Sequence, residues 1–269
     1  MLVRRSQKLT GQRSSRRFKS KTYKDIIKKP PHIPNQTFLK VYWWNGGGKI
    51  RTRIKANPEL KRIIEKSPDI FVYGEAETPS SYNLNISGYI CYLHRSKLNE
   101  ANNFRRGIAI FYLQKYRFVL SKVYACNNYD IVWMRMKTAQ KVIHFCFFYS
   151  PGAHHLLSVR KKFYDLFTFQ FSKFACMGNV YLLGDTNARL GSLVNDRDIN
   201  DNLVTNLNQP LLKEFLDYSG VSLLNSIYCK GVPTYEIANK KRSIIDMCFT
   251  NAPQSICSFS VDPKPLGVN

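Results

Sequence analysis

Apolar residues along this chain come mostly in short unbroken runs closed by Gly, Pro or a polar group, a pattern that favours strands over long helices. Residues 38–44 read as a first strand, followed by Asn45-Gly46-Gly47-Gly48, a loop whose backbone can approach a ligand closely. Asn57-Pro58-Glu59 supplies an N-cap, a Pro at the first helical position and an acid in the first turn, with Leu60, Ile63 and Ile64 as one apolar face. That helix stops before Pro68, and residues 69–75 form the next strand, which ends in Gly74 and the carboxylate of Glu75. β-prone segments follow at 107–113, 117–125, 131–136 and 142–149, with connections too short for helices, so antiparallel pairing is expected. Between residues 155 and 174 the period changes. Leu156, Val159, Phe163, Leu166, Phe167, Phe171 and Phe174 recur at helical spacing and form a face that needs no cofactor to explain it. A buried strand over 179–183, a helix over 211–218 capped by Gly220, and short strands at 221–224, 232–235 and 243–249 complete the pattern. Strands outnumber helices, and both meander and crossover connections occur. The expected class is therefore α/β, a sheet sandwich covered by helices, without internal repeats.

With 269 residues, 44% of them hydrophobic, the chain can bury a sizeable core, and one domain suffices for an α/β fold of this length. There is no run of eighteen apolar residues and no apolar stretch of a signal peptide near the start, so no membrane span is expected and the reading is soluble and intracellular. The seven Cys are scattered without a C-x-x-C pair and mostly sit inside apolar runs, which points to reduced, buried thiols rather than a disulfide frame or a zinc site.

Charge changes the picture most. Forty-one Lys and Arg against 18 Asp and Glu give +23, which predicts a polyanionic partner, either nucleic acid or an anionic membrane surface, and salt-sensitive binding. About +10 of it lies in residues 1–29, where Arg4, Arg5, Arg13, Arg16, Arg17 and Lys19 are among eleven cations set against Asp25 alone. Residues 1–37 read as a basic disordered tail with a Pro-rich linker at Pro30-Pro31-His32-Ile33-Pro34, and 38–269 as the globular part. Direct nucleic-acid contact and a nuclear-targeting arm both suit such a tail, and nuclear localisation is the expectation.

The chemistry concentrates at strand ends. After the 179–183 strand comes Gly184-Asp185-Thr186-Asn187-Ala188-Arg189-Leu190-Gly191, which delivers a carboxylate and an amide two residues apart. An ionised Asp185 can orient or deprotonate a water, and Asn187 can hold a phosphate oxygen; the same residues also make a good turn. Asn45, Glu75, Tyr149 and Asp246 stand at or near the ends of other strands. A Glu surrounded by amide and carboxylate oxygens is the hard, oxygen-only setting that Mg2+ prefers.

The order and wording of these motifs resemble the endonuclease/exonuclease/phosphatase superfamily, most closely the AP-endonuclease-like domain of non-LTR retrotransposons. The resemblance rests on Trp44-Asn45, Pro68-Asp69-Ile70 leading to Glu75, Arg106-Gly107-Ile108-Ala109-Ile110, Tyr149-Ser150-Pro151, the Asp185 motif, Leu223-Leu224-Asn225, and Pro233-Thr234-Tyr235 before Ser243-Ile244-Ile245-Asp246. It implies a four-layer sandwich of two mixed β-sheets flanked by helices. It further implies that Glu75 ligates Mg2+ (or Mn2+) with Asn45 close by. Asp185 would activate water, Asn187 hold a phosphate oxygen, Tyr149 stabilise charge on the phosphate, and Asp246 buttress a terminal histidine. Arg189 and Thr234 join the tail cations as expected nucleic-acid contacts. The implied activity is nicking of double-stranded DNA to leave a 3′-hydroxyl, with a reverse transcriptase domain as an expected companion in the full-length gene. The family's closing Ser-Asp-His triplet has no counterpart before Asn269, so a domain incomplete at its C-terminus is expected. Gly47 is a second departure, where many relatives place an acidic or amide residue. A catalytically inactive nucleic-acid-binding remnant and a lipid or inositol phosphate phosphoesterase are the two alternatives.

Overall fold

The computed structural model describes residues 38–47, 50, 58–78, 84–94, 97–98, 104–237 and 241–262; the tail and its cations, Asn57 and Gly48 lie outside them. The first half of the chain supplies β1 (Val41–Asn45), α1 (Pro58–Glu65), β2 (Ile70–Gly74), β3 (Tyr89–His94), the paired pieces β4 (Lys97–Leu98) and β5 (Phe104–Arg105), and β6 (Ile108–Leu113). A 3-10 turn at Gln114–Tyr116 then carries the chain across to β7 (Leu120–Ala125), β8 (Asp130–Lys137) and β9 (Val142–Tyr149). After α2 (Leu157–Ala175) come β10 (Asn179–Asp185), α3 (Gln209–Ser219), β11 (Ser222–Leu223) and α4 (Leu224–Tyr228). A two-stranded ribbon of β12 (Tyr235–Ile237) and β13 (Lys241–Ser243) precedes β14 (Asp246–Thr250). One sheet has the order β1-β2-β6-β3 and the other β11-β14-β10-β9-β8-β7. Each is mixed, because β1 runs parallel to β2 and β10 parallel to β9 while the remaining neighbours are antiparallel.

Alternation along the strands decides what lies between the layers. Ile70 and Val72 of β2, with Ile108 and Ile110 of β6, meet Val132, Met134, Phe145 and Phe147 of the second sheet. Their sequence neighbours Phe71, Tyr73, Ala109 and Phe111 point the other way and pack with Trp44 and with Ile63 of α1. On the far side of the second sheet Trp133, Cys146 and Phe148 pack against Phe163, Phe167 and Phe171 of α2 and Phe215 of α3. Both faces of both sheets are thus apolar and covered, which is why β2 and β9 read as unbroken apolar runs. Burying each such aromatic contributes roughly 1.5–3 kcal/mol. The result is the expected sandwich: helix, sheet, sheet, helices.

Several expectations change. The segments 107–113 and 117–125 do not share one antiparallel sheet; the 3-10 turn between them separates β6 from β7. Leu156 is 75% exposed and precedes α2 instead of joining its buried face, whose polar members Arg160 and Gln170 are buried. The stretch 243–249 is two strands, because Ile244 and Ile245 turn aside to bond Asp196 and Thr186. The strand expected over 232–235 lies at Tyr235–Ile237, and β3 was not foreseen. Gly220 caps α3 in the left-handed conformation, as expected. All seven Cys are free thiols, but only Cys126, Cys146 and Cys248 are buried as expected; Cys91 and Cys229 are half-buried, and Cys176 and Cys257, at the end of α2 and beyond β14, are exposed.

Candidate active site

Parallel pairing within each sheet sets the site. Because β1 runs alongside β2 and β9 alongside β10, the C-terminal ends of all four strands lie on one edge of the sandwich, at Asn45, Gly74, Tyr149 and Asp185. The two sheets meet there through β1 and β10. Asn45 Nδ2 donates to Asp185 Oδ2 across the layers at 2.9 Å, and Asn45 Oδ1 accepts from the Gly47 amide at 3.2 Å. Register adds the rest: Asp185 is the cross-strand partner of both Tyr149 and Asp246.

The loop after β10 is tight. Asp185 Oδ1 accepts the Asn187 backbone N–H at 2.6 Å, closing an Asx turn that puts Asn187 in the left-handed region at φ 45°, a conformation Asn tolerates. Turn and site are therefore one arrangement. Gly184 is required immediately before it, since a Cβ there would lie 2.1 Å from the Phe148 carbonyl oxygen. Asn187 Nδ2 donates to the Ser150 carbonyl at 2.9 Å, and its own carbonyl accepts from Asn206 and Asn208 at 2.9 and 3.0 Å. Asp185 is 2% exposed, with both carboxylate oxygens held by neutral donors. Burial first, then the charges of Asp246 and Glu75, push its carboxyl well above the usual carboxylate range against the pull of those hydrogen bonds.

Asp246 Oδ1 accepts from Trp43 Nε1 at 2.8 Å, and its backbone N–H donates to Thr234 Oγ1 at 3.0 Å. Burial raises its carboxyl to about 6, opposed by Trp43 and Thr234 and assisted by Glu75. Arg242 Nη2 donates to the Gly231 carbonyl at 3.2 Å. Glu75 follows β2 with φ 53°, on a loop fastened by Ala76 N–H to the Gly107 carbonyl and Glu77 N–H to the Arg106 carbonyl, at 2.9 and 2.8 Å. Burial first, then the charges of Asp185 and Glu75, raise the pKa of Tyr149, so its hydroxyl stays protonated and can donate.

The structure thus brings Asn45, Glu75, Tyr149, Asp185, Asn187 and Asp246 together. It uses Arg189 and Thr234 otherwise. The Arg189 guanidinium clamps buried Asp196 through Nε and Nη2 at 2.9 and 2.8 Å and donates to the Arg242 carbonyl at 2.9 Å, so its fork is taken up by the fold and not presented to a phosphate. Thr234 Oγ1 accepts from the backbone N–H groups of Ile245 and Asp246, a loop-fixing role. Sequence reasoning missed Trp43, whose indole reaches Asp246 from the other sheet, and Asn206 and Asn208, which hold Asn187. No local signal marks them, because each acts through contacts distant in sequence. Ser150, whose carbonyl also holds Asn187, had a signal in the Tyr149-Ser150-Pro151 motif but was given no role. Asn225 had a signal in its motif: its amide bridges the Asp246 carbonyl and the Cys248 N–H at 3.1 and 2.9 Å.

Among the described residues no three His, Cys, Asp or Glu form a ready metal cluster. The donor chemistry nonetheless fits Mg2+, which uses one or two carboxylates and takes its other ligands from water and substrate phosphate. Glu75 raises the pKa of buried Asp185 and of half-buried Asp246, so the site gathers negative charge that a cation would relieve.

No protein-family model and no curated protein matches the chain. Solved structures do. The endonuclease domain of TRAS1, a telomere-specific non-LTR retrotransposon, superposes with a TM-score of 0.54 at 16% identity, over 79% of this chain and 84% of that one. The 3′ phosphatase NExo from Neisseria, bound to a product DNA hairpin, gives 0.60 at 15% identity, over 81% and 88%. An endonuclease/exonuclease/phosphatase family protein from Leptotrichia buccalis gives 0.53 at 12% identity, over 80% and 88%. Two mixed sheets flanked by helices, with polar strand ends gathered at one edge, are accordingly the endonuclease/exonuclease/phosphatase fold, and that is the fold of this chain.

Proposed function

We propose that the chain is a magnesium-dependent phosphodiesterase that nicks DNA. The observation that carries this reading is Asp185: a buried carboxylate whose two oxygens are aimed by the Asn45 amide and the Asn187 N–H, beside Asp246 and Glu75. The +23 charge supports a polyanionic substrate, and neighbours of this fold include a retrotransposon endonuclease domain and a phosphatase seen with DNA product.

In this reading Asp185, with its basicity increased by burial, takes a proton from the attacking water. The water oxygen bonds to phosphorus, the bond to the 3′ oxygen breaks with its electron pair on that oxygen, which takes up a proton from solvent water, and the products are a 5′-phosphate and a 3′-hydroxyl. Tyr149 donates its hydroxyl hydrogen to a phosphate oxygen as charge grows there, and the Asn187 amide holds a second. Glu75 and the Asn45 carbonyl oxygen would hold the metal, which supplies charge neutralisation at the phosphate when bound. Asp246, fixed by Trp43 and Thr234, keeps Asp185 oriented from the neighbouring strand. A companion reverse transcriptase domain and action in the nucleus belong to the same reading.

The test is incubation of the full chain with supercoiled plasmid in Mg2+ and in EDTA. Open-circle product in Mg2+ alone, with ends that a polymerase extends, is expected. Release of phosphate from inositol phosphates without nicking would replace this reading with the lipid-phosphate one.

A further inference from the structure

The edge of the sandwich opposite the catalytic one carries chemistry of its own. Strand direction puts the N-terminal ends of β2 and β9 there, with the C-terminal ends of β6 and β8 that pair with them. β9 is eight residues long, which spaces this edge roughly 25 Å from Tyr149. Two turns meet at it. Residues 114–119 join β6 to β7, residues 138–141 join β8 to β9, and the Lys137 N–H donates to the Val119 carbonyl at 2.9 Å between them.

The first turn is pinned from inside. Buried Tyr116 donates its hydroxyl to Asp69 Oδ1 at 2.9 Å, and buried Val119 donates its N–H back to the Tyr116 carbonyl at 3.1 Å. With those two side chains in the core, Arg117 and Phe118 between them face solvent, and the Phe118 ring is 74% exposed. The Arg117 guanidinium carbon lies 5.7 Å from the centroid of that ring. Lys122 of β7 repeats the arrangement, its Nζ 5.2 Å from the centroid of the Tyr92 ring on β3. Charge follows the same surface. Residues 114–122 and 137–141 hold Lys115, Arg117, Lys122, Lys137 and Lys141, all exposed, and no acid. Lys115 is matched by buried Asp69 at 2.9 Å. Among the described residues no carboxylate lies within ion-pair distance of the other four.

Four unmatched cations held by two joined turns repel one another until an anion lies across them. A polynucleotide strand supplies both things this surface lacks: cations track its phosphates whatever the sequence, and an exposed aromatic ring stacks on its bases. A base offers its face only when unpaired, which selects a single strand over a duplex. An anionic membrane would also meet the charge, but Phe118 is the one large apolar side chain these two turns expose, and binding at a bilayer surface scales with the apolar area buried in it.

We propose that this edge, through Phe118, Arg117, Lys137 and Lys141, binds single-stranded nucleic acid separately from the catalytic edge. The inference goes beyond the proposed activity and shares none of its residues, so either can fail alone.

The test is equilibrium binding of the full chain to short single-stranded DNA and RNA oligonucleotides of one sequence, in EDTA, across a salt series. Combining Arg117→Gln, Lys137→Gln and Lys141→Gln should lower the slope of log affinity against log salt by about 2, at about 0.7 for each phosphate contact on a single strand. Cations elsewhere in the chain are common to parent and variant and cancel in that difference. Phe118→Ala should weaken binding about tenfold with the slope unchanged. Phe118→Leu should weaken it as much, because bulk without a flat face does not stack, and Phe118→Trp should keep parental affinity. Thermal melts check that each variant is folded. An unchanged slope in the folded triple variant overturns the proposal, and so does parental affinity in Phe118→Ala or Phe118→Leu. Loss of binding to phosphatidylserine vesicles in these variants, with oligonucleotide binding intact, would overturn it in favour of a membrane surface. Nicking of a short duplex by Phe118→Ala should match the parent, and a fall there would show that the two edges are not separate. A parent chain that does not nick removes the proposed activity, while the binding series still decides this inference.

Discussion

Asp185 and Asp196 lie on the same stretch of chain, both buried, and they are held in opposite ways. Asp196 is 0% exposed and receives a two-pronged clamp from Arg189, with the Ile244 N–H as a further donor at 3.2 Å. Asp185 is 2% exposed and receives neutral donors from Asn45 and Asn187, while Glu75 and Asp246 press on it with like charge. A buried carboxylate that is matched to a cation stabilises a fold; one surrounded by amides and other acids carries a cost that an activity can repay. The eight-residue motif from Gly184 to Gly191 builds both, its first half the site and its second half, through Arg189, the scaffold of the following loop.

That contrast is open to attack, starting with the largest effect. Asp185→Asn should lower single-turnover nicking by about 10²–10⁴, the usual worth of a positioned base. DNA affinity should stay equal or tighten, since a charge that repels phosphate is gone. Asp196→Asn should do the reverse, costing roughly 3–5 kcal/mol in denaturant unfolding because Arg189 is left buried without its partner; its side chain is 15% exposed. A loss below 1 kcal/mol would show that the clamp is not what holds the loop. Glu75→Gln should move the Mg2+ titration to higher concentration, since an amide is a poorer ligand for a hard dication. An unchanged titration would remove Glu75 from the metal site.

The smallest effect concerns pH. Asp246 has a folded-state pKa of about 6, above its ordinary 3.8. Between those values the folded state binds more proton than the unfolded, so this group makes stability fall as pH rises from about 4 to about 6, with no further loss above. Asp246→Asn should remove that contribution, giving a stability-against-pH curve that rises more steeply over the same window than the parent's. Parallel curves would mean that Asp246 is not raised.

Much of the fold was legible because both sheets are covered on both faces: β2, β9 and β10 are apolar runs that alternate between two hydrophobic layers. The helix over α2 was legible from its period, except at Leu156, where an apolar residue at the right spacing stays in solvent. Partner choice was not legible, since nothing in 107–125 says that a 3-10 turn moves the chain between sheets. The site divides the same way. Strand-end carboxylates and amides announced themselves by type and position, and the structure gathers them. Arg189 misled because a cation beside a motif looks alike whether it meets a phosphate or an aspartate beyond the next turn. Trp43 was hidden because an indole in an apolar strand reads as core until the opposite sheet supplies its acceptor.

The most direct measurement is the nicking rate per folded molecule for Asp185→Asn and Asp196→Asn, measured side by side in saturating Mg2+ at a temperature where melts show both folded. The account predicts that Asp196→Asn stays within about tenfold of the parent while Asp185→Asn loses at least about a hundredfold. Equal losses in the two variants, or a parental rate in Asp185→Asn, would contradict it.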